Sequence, residues 1–140
     1  MMLVTAVFTG VLTLMFIKLS FNVIALRKKH KVSLGHGCID DLDRAIRTHG
    51  NFSEYVPLGL VLMGALEING APMLLVVILG ALLVIGRYLH AKGTHEAPPV
   101  FTNRVKGMQF TFFALGALAL SNIIWVAYVF LACVRFAAVH

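Results

Sequence analysis

Residues 44–66 read RAIRTHGNFSEYVPLGLVLMGAL, and the two halves of this stretch are unlike. Residues 55–66 carry no charge. A hydrocarbon core of about 30 Å needs about 20 residues of helix at about 1.5 Å each, so that clean stretch is too short to cross. Counting back from Glu67, a full span must begin near Thr48. It then takes Asn51 and Glu54 inside the membrane boundary and leaves Arg47 at its edge. A lipid-facing charge at that depth costs about 2.5–3.5 kcal/mol, so these groups are expected to face protein or a wet cavity.

Working outward, three further apolar runs flank this one. The first covers about residues 3–26 and is interrupted by Lys18, Ser20 and Asn22; no basic residue precedes it and it is long, so it reads as a span and not a cleaved leader. The others cover about residues 72–90, opening on Pro72, and about 106–135, with Ser121, Asn122 and Trp125 inside. Composition agrees, because only 13% of the 140 residues are charged and 59% are apolar. A soluble domain carries about 25% charge, and this chain has too little polar surface to cover a globule in water. The two cysteines, Cys38 and Cys133, fall at opposite ends of the bundle and cannot form a disulfide framework. The expected fold is all-α: one integral membrane domain over residues 1–140, a four-transmembrane-helix bundle with its second span at about residues 44–68.

Twelve basic against six acidic residues give a net charge of +6, which on a soluble fold would point to nucleic acid. Here the basic residues sit at the ends of apolar runs. Arg27, Lys28, Lys29, Lys31, Arg44 and Arg47 surround the first link, and Arg87, Lys92, Arg104 and Lys106 surround the third. The second link, about residues 67–72, has none. The positive-inside rule then places both basic loops in the cytoplasm and both termini outside. A turn is expected over residues 96–99, Glu-Ala-Pro-Pro.

At about 100° per residue, Arg44, Arg47, Asn51, Glu54 and Tyr55 share an arc of about 100°, while His49 points about 140° away from Arg44. Two readings of this polar stripe stay open. It is either ion-paired structural glue within a bundle, or an anion pocket for a zwitterionic small molecule. In the second, Arg forks would bind carboxylates and Glu54 would meet an ammonium.

The residues from Arg44 to Pro57 resemble the signature of the MAPEG family, the membrane-associated proteins in eicosanoid and glutathione metabolism. That signature reads approximately Arg-x-x-Arg-x-x-x-Asn-x-x-Glu at the start of the second span. Residues 51–57, Asn-Phe-Ser-Glu-Tyr-Val-Pro, are similar to the leukotriene-C synthase version, and His49 to the prostaglandin E synthase version. Residues 23–32 resemble the basic exit of the family's first span, and Arg87-Tyr88 the end of its third. The long link to Arg104, and Lys92 where the animal synthases carry a second tyrosine, resemble the bacterial branch and hence an inner-membrane protein.

The resemblance implies a homotrimer that holds glutathione between neighbouring subunits near the cytoplasmic face. Carried over by position, Arg47, Asn51, Glu54 and Tyr55 would hold glutathione, with Arg27 from the first span and Tyr88 from the third. Arg104 would stand beside the thiol and stabilise its anion. A free thiol has a pKa of about 8.5 and only the thiolate is the nucleophile, so a nearby guanidinium raises the reactive fraction. The implied activity is a glutathione transferase or peroxidase acting on a lipophilic electrophile or hydroperoxide that arrives from the membrane lipid. A non-catalytic binder of lipid or glutathione is the alternative. A transporter ranks last, since polar residues along the third and fourth spans look sparse.

Other residues have plainer readings. His90 and His95 lack a third ligand, so no metal site is expected. Lys18 and Asn22 share a helical face, either at an inter-subunit axis or with Lys18 snorkelling outward. Asn122 is read as an interhelical hydrogen bond, and Trp125 with Tyr128 as an interfacial belt. Gly80, Gly86, Gly107 and Gly116 are read as close-packing positions and not phosphate loops.

Overall fold

A computed structural model describes residues 1–95 and 101–139. Four helices account for the fold: α1 Leu3–His30, α2 Asp40–Ile68, α3 Met73–His95 and α4 Phe101–Val139. The turn expected over residues 96–99 lies outside the described residues, as does the side chain of His95. Helices α1, α3 and α4 are each long and apolar enough to cross a membrane. Helix α2 is as long, but its polar first half dilutes its hydropathy. The chain is an integral membrane protein, a four-helix bundle in which α2 brings polar side chains down alongside its neighbours.

Helix α2 starts at Asp40, one turn before the stripe, and its first turn holds Asp40, Asp41 and Asp43. Carboxylates there favour the positive end of the helix dipole and satisfy a start that has no side-chain cap. Helix α1 ends where Lys31 turns left-handed at φ 56°. The Val32 N–H then reaches back to the Arg27 carbonyl at 3.0 Å, satisfying one of the orphan acceptors of the last turn. Between them, Asp41 Oδ2 lies 3.1 Å from His30 Nε2 and 3.9 Å from Lys29 Nζ, which ties the two helix ends together. At the other end Glu67 caps α1 from across the bundle. Its carboxylate accepts from the Val4 and Thr5 N–H groups at 2.9 and 2.8 Å and from the Thr5 hydroxyl at 2.7 Å.

The core is a column of apolar side chains in two clusters. One joins Val4, Met63, Leu66, Val76, Leu79 and Leu118. The other joins Leu12, Leu19, Phe52, Val56, Leu83 and Ala114, directly below the polar stripe of α2. Helices α3 and α4 lie in close contact at Gly107, where an added Cβ would meet the His90 backbone nitrogen at 2.4 Å. Gly86 and Gly80 are also close-packed, but Gly116 faces open space. The expectation for Gly116 therefore fails: it lies on the outer face of α4, beside residues exposed along that face. Asn122 makes the interhelical bond read from sequence, donating to the Leu62 carbonyl at 2.9 Å. Trp125 is tied to the α2–α3 turn through the Asn69 carbonyl at 2.8 Å, and its ring lies 5.6 Å from that of Tyr128.

Candidate functional site

The first half of α2 faces α3 and the start of α4 across an open cleft of about 380 Å³. Arg44, Arg47, Asn51 and Glu54 line it from α2, His90 and Thr94 from α3, and Arg104 from α4. Four of the five stripe residues thus share a cavity, because the i, i+3, i+7 spacing puts them on one side of the helix. His49 points the other way, as its angle required; its Nε2 lies 3.0 Å from Ser20 Oγ on α1 and its ring 4.7 Å from that of Phe16.

The stripe is not neutralised internally. Arg47 Nε donates to Asp43 Oδ2 at 3.1 Å, one turn back on the same helix, and not to Glu54. Among the described residues Arg44, Glu54 and Arg104 form no ion pair. A cleft with three guanidiniums and one carboxylate among its described lining residues, and room for a ligand, is the arrangement of a binding site more than of structural glue, which would consume its charges locally. Ligand cavities of about 300–1,000 Å³ include this volume.

Behind Asn51, outside the lining of the cleft itself, stands Arg87, which is 1% exposed. Sequence placed it near the end of the third span, among the basic residues around the third link; it is the largest fully buried side chain among the described residues. Its Nε and Nη2 donate to the Thr111 hydroxyl at 2.9 and 2.6 Å, and Nη2 also approaches Met108 Sδ at 3.3 Å. Its Nη1 donates to Asn51 Oδ1 at 2.6 Å, and its guanidinium lies 5.5 Å from the Tyr55 ring centroid. Thr111 is fully committed, since its own hydroxyl donates to the Gly107 carbonyl at 2.8 Å. No carboxylate compensates Arg87 among the described residues. Guanidinium has no acceptor, so the Asn51 amide must turn its oxygen inward, leaving its NH₂ donors for the cleft.

A helical wheel on α3 contains the missed signal. Leu83, Arg87, His90 and Thr94 follow the i, i+4, i+7, i+11 rhythm of one face, three of them polar. Thr94 closes that face by donating to the His90 carbonyl at 3.0 Å and accepting from Thr48 on α2 at 2.8 Å. The expected scarcity of polar residues on the third and fourth spans is thus corrected near the cleft, where Arg87, His90, Thr94 and Thr111 are all buried.

Three residues expected at the site lie elsewhere in the protomer. Tyr55 does not line the cleft; its ring packs edge-on to Phe112 at 5.5 Å, below the opening, because it stands at the margin of the stripe. Arg27 Nη1 donates to the Ser33 carbonyl at 3.1 Å beyond the end of α1. Tyr88, one residue from Arg87 and so turned about 100° from it, lies in a separate groove with Lys18, Asn22 and Lys92.

Residues 5–124 match the sequence profile of the MAPEG family. The inner membrane protein YecN of Escherichia coli strain K12 is 39% identical over 121 residues, which span 86% of this chain and 91% of the relative. YecN of E. coli O6:H1 strain CFT073 matches to the same extent.

Proposed function

This chain belongs to the MAPEG family, and we propose that it is a glutathione-dependent membrane transferase or peroxidase whose α2–α4 cleft binds glutathione. The observation that carries this reading is the shared cleft of Arg44, Arg47, Asn51, Glu54 and Arg104, in which Glu54 and two of the arginines have no ion-pair partner among the described residues. Glutathione brings two carboxylates, one ammonium and a thiol. The arginines answer the carboxylates, Glu54 the ammonium, and the Asn51 NH₂ a peptide carbonyl. Buried Arg87 adds a fixed positive charge beneath them.

Arg104 enters the cleft from α4, apart from the α2 side chains that would fix the peptide, and so stands free to meet the thiol. Its charge favours the thiolate, whose proton leaves to solvent. The thiolate sulfur then forms a bond to the electrophilic carbon of a membrane-derived substrate, and the leaving group departs with the displaced electron pair. With a hydroperoxide, sulfur attacks the O–O bond, an alcohol leaves, and a second glutathione converts the sulfenic acid to disulfide and water. Arg27, Tyr55 and Tyr88 stand outside the cleft of their own chain. A homotrimer with ligand seated between protomers gives Arg27 a route to it, while Tyr55 acts from below by holding Arg87 and Tyr88 stays with the α1–α3 groove. The name of the E. coli relatives supports a bacterial inner membrane, with the basic loops and the cleft on the cytoplasmic side.

The test is an ultraviolet thiolate difference spectrum on adding glutathione to the purified protein. A saturable thiolate signal is expected, and Arg104→Ala should abolish it while leaving glutathione binding within about threefold. Binding without any thiolate signal in the unmodified protein would favour the non-catalytic alternative; an unchanged signal in Arg104→Ala would reject the role of Arg104.

A further inference from the structure

A second polar feature lies outside the cleft. Helices α1 and α3 enclose a groove of about 550 Å³ whose polar groups are Lys18, Asn22, Tyr88 and Lys92 and whose wall includes Met15 and Leu19. Among the described residues no carboxylate lines it. Both lysines are exposed and neither takes part in an ion pair among the described residues. Lys18 is the sharper anomaly, since it interrupts the apolar run of a membrane-crossing helix, where an uncompensated charge is costly.

Chain order makes α1 and α3 run in the same direction, toward the side where Arg27, Lys28 and Lys29 end α1. The groove therefore has polarity along the membrane normal. Met15 lies on the deeper side, and Asn22 stands about 10 Å nearer the basic end of α1, at about 1.5 Å per residue. Lys92 lies near the end of α3, and Tyr88, 57% exposed, places an amphipathic ring beside it. Both walls are membrane-crossing helices and Lys18, Tyr88 and Lys92 are all exposed on it, so the groove lies on the outside of the protomer. Lys18, whose long side chain can snorkel toward the basic side, and Lys92 stand above an apolar wall and match the charge and polarity of an anionic lipid.

We propose that the α1–α3 groove binds an anionic phospholipid of the leaflet beside the basic loops, its phosphate between Lys18 and Lys92 and its acyl chain along Met15 and Leu19. This site is independent of the glutathione cleft. It gives Lys18 a counter-charge that no described residue supplies, and it makes lipid a structural ligand of the first and third helices.

Delipidated protein in neutral detergent should be titrated with phosphatidylglycerol or with phosphatidylcholine of the same acyl chains, following thermal unfolding. Phosphatidylglycerol is expected to stabilise at a concentration on the order of tenfold lower than phosphatidylcholine. The double variant Lys18→Gln/Lys92→Gln should lose that preference, with its glutathione thiolate signal unchanged. Lys28→Gln/Lys31→Gln removes the same charge outside the groove and should keep the preference. Equal stabilisation by the two lipids would overturn the proposal. So would full stabilisation by inorganic phosphate alone, or equal losses in both double variants, which would mean only diffuse attraction to a basic surface.

Discussion

Arg87 donates to Asn51, Thr111 and Met108 from a position that is 1% exposed, and each of those partners has little freedom to be replaced. Thr111→Val keeps the shape of the side chain but removes the oxygen that accepts from both Nε and Nη2. Hydrogen bonds to charged groups contribute about 1.5–3 kcal/mol, and the orphaned donors cannot reach water. A loss of about 2–3 kcal/mol in stability is expected from denaturation in mild detergent, with Thr111→Ser close to the parent. A Thr111→Val protein as stable as the parent would mean that Arg87 is held in another way. The α2 stripe was legible residue by residue because helical periodicity alone aligns Arg44, Arg47, Asn51 and Glu54. Arg87 was not, because an arginine near the end of an apolar run reads as a headgroup residue. Only the approach of α4, which brings Thr111 and Met108 over it, turns it inward.

Between elements, two contacts decide how the cleft is framed. Gly107 lets α4 lie against α3, and a methyl group there would meet backbone atoms of His90 and Gly86 at 2.4–2.7 Å. Backbone cannot rotate away as a side chain can, so Gly107→Ala should push the helices apart and displace Thr111 from Arg87. A destabilisation of at least about 1–3 kcal/mol is expected, with weakened glutathione binding, whereas Gly116→Ala should be neutral or slightly favourable. Normal stability in Gly107→Ala would contradict the close approach.

At the other side of the cleft, Asp41 holds the end of α1 to the start of α2. Its hydrogen bond with His30, aided by the charges of His30 and Lys29, keeps its carboxyl below the ordinary value of 3.8 against the opposing effect of desolvation. A depressed carboxylate contributes its stabilisation above the unfolded-state value and loses it as pH falls through the folded one. Limited proteolysis of residues 31–39 should therefore accelerate as the pH falls below about 4; in Asp41→Asn that acceleration should be absent. Helix number and order were legible from the apolar runs. The α1 cap by Glu67 was not, since it joins residues more than sixty positions apart in the chain.

For the whole molecule, the bundle leaves large apolar side chains exposed on its outer faces, among them Phe21, Ile78, Phe113 and Phe130. In a membrane such faces are covered by acyl chains or by further copies of the chain. Composition made the membrane class readable, and the length of the runs made four helices readable. Which faces meet a neighbour is not carried by composition, because lipid-facing and protomer-facing surfaces are equally apolar. Arg27 and Tyr88, expected at the ligand by family resemblance, lie outside the cleft of a single chain while Arg44, Arg47, Asn51, Glu54 and Arg104 line it.

Equilibrium binding of radiolabelled glutathione to the purified protein, compared with Glu54→Gln, tests the ligand identity most directly. Among the described residues Glu54 carries the cleft's lone negative charge, is exposed, and makes no hydrogen bond that its loss would break. Saturable binding should be present in the parent and weakened at least about tenfold in Glu54→Gln, as removal of a charge-assisted hydrogen bond to the ligand ammonium requires. Equal binding in the two proteins, or no saturable binding in either, would contradict a glutathione site in this cleft.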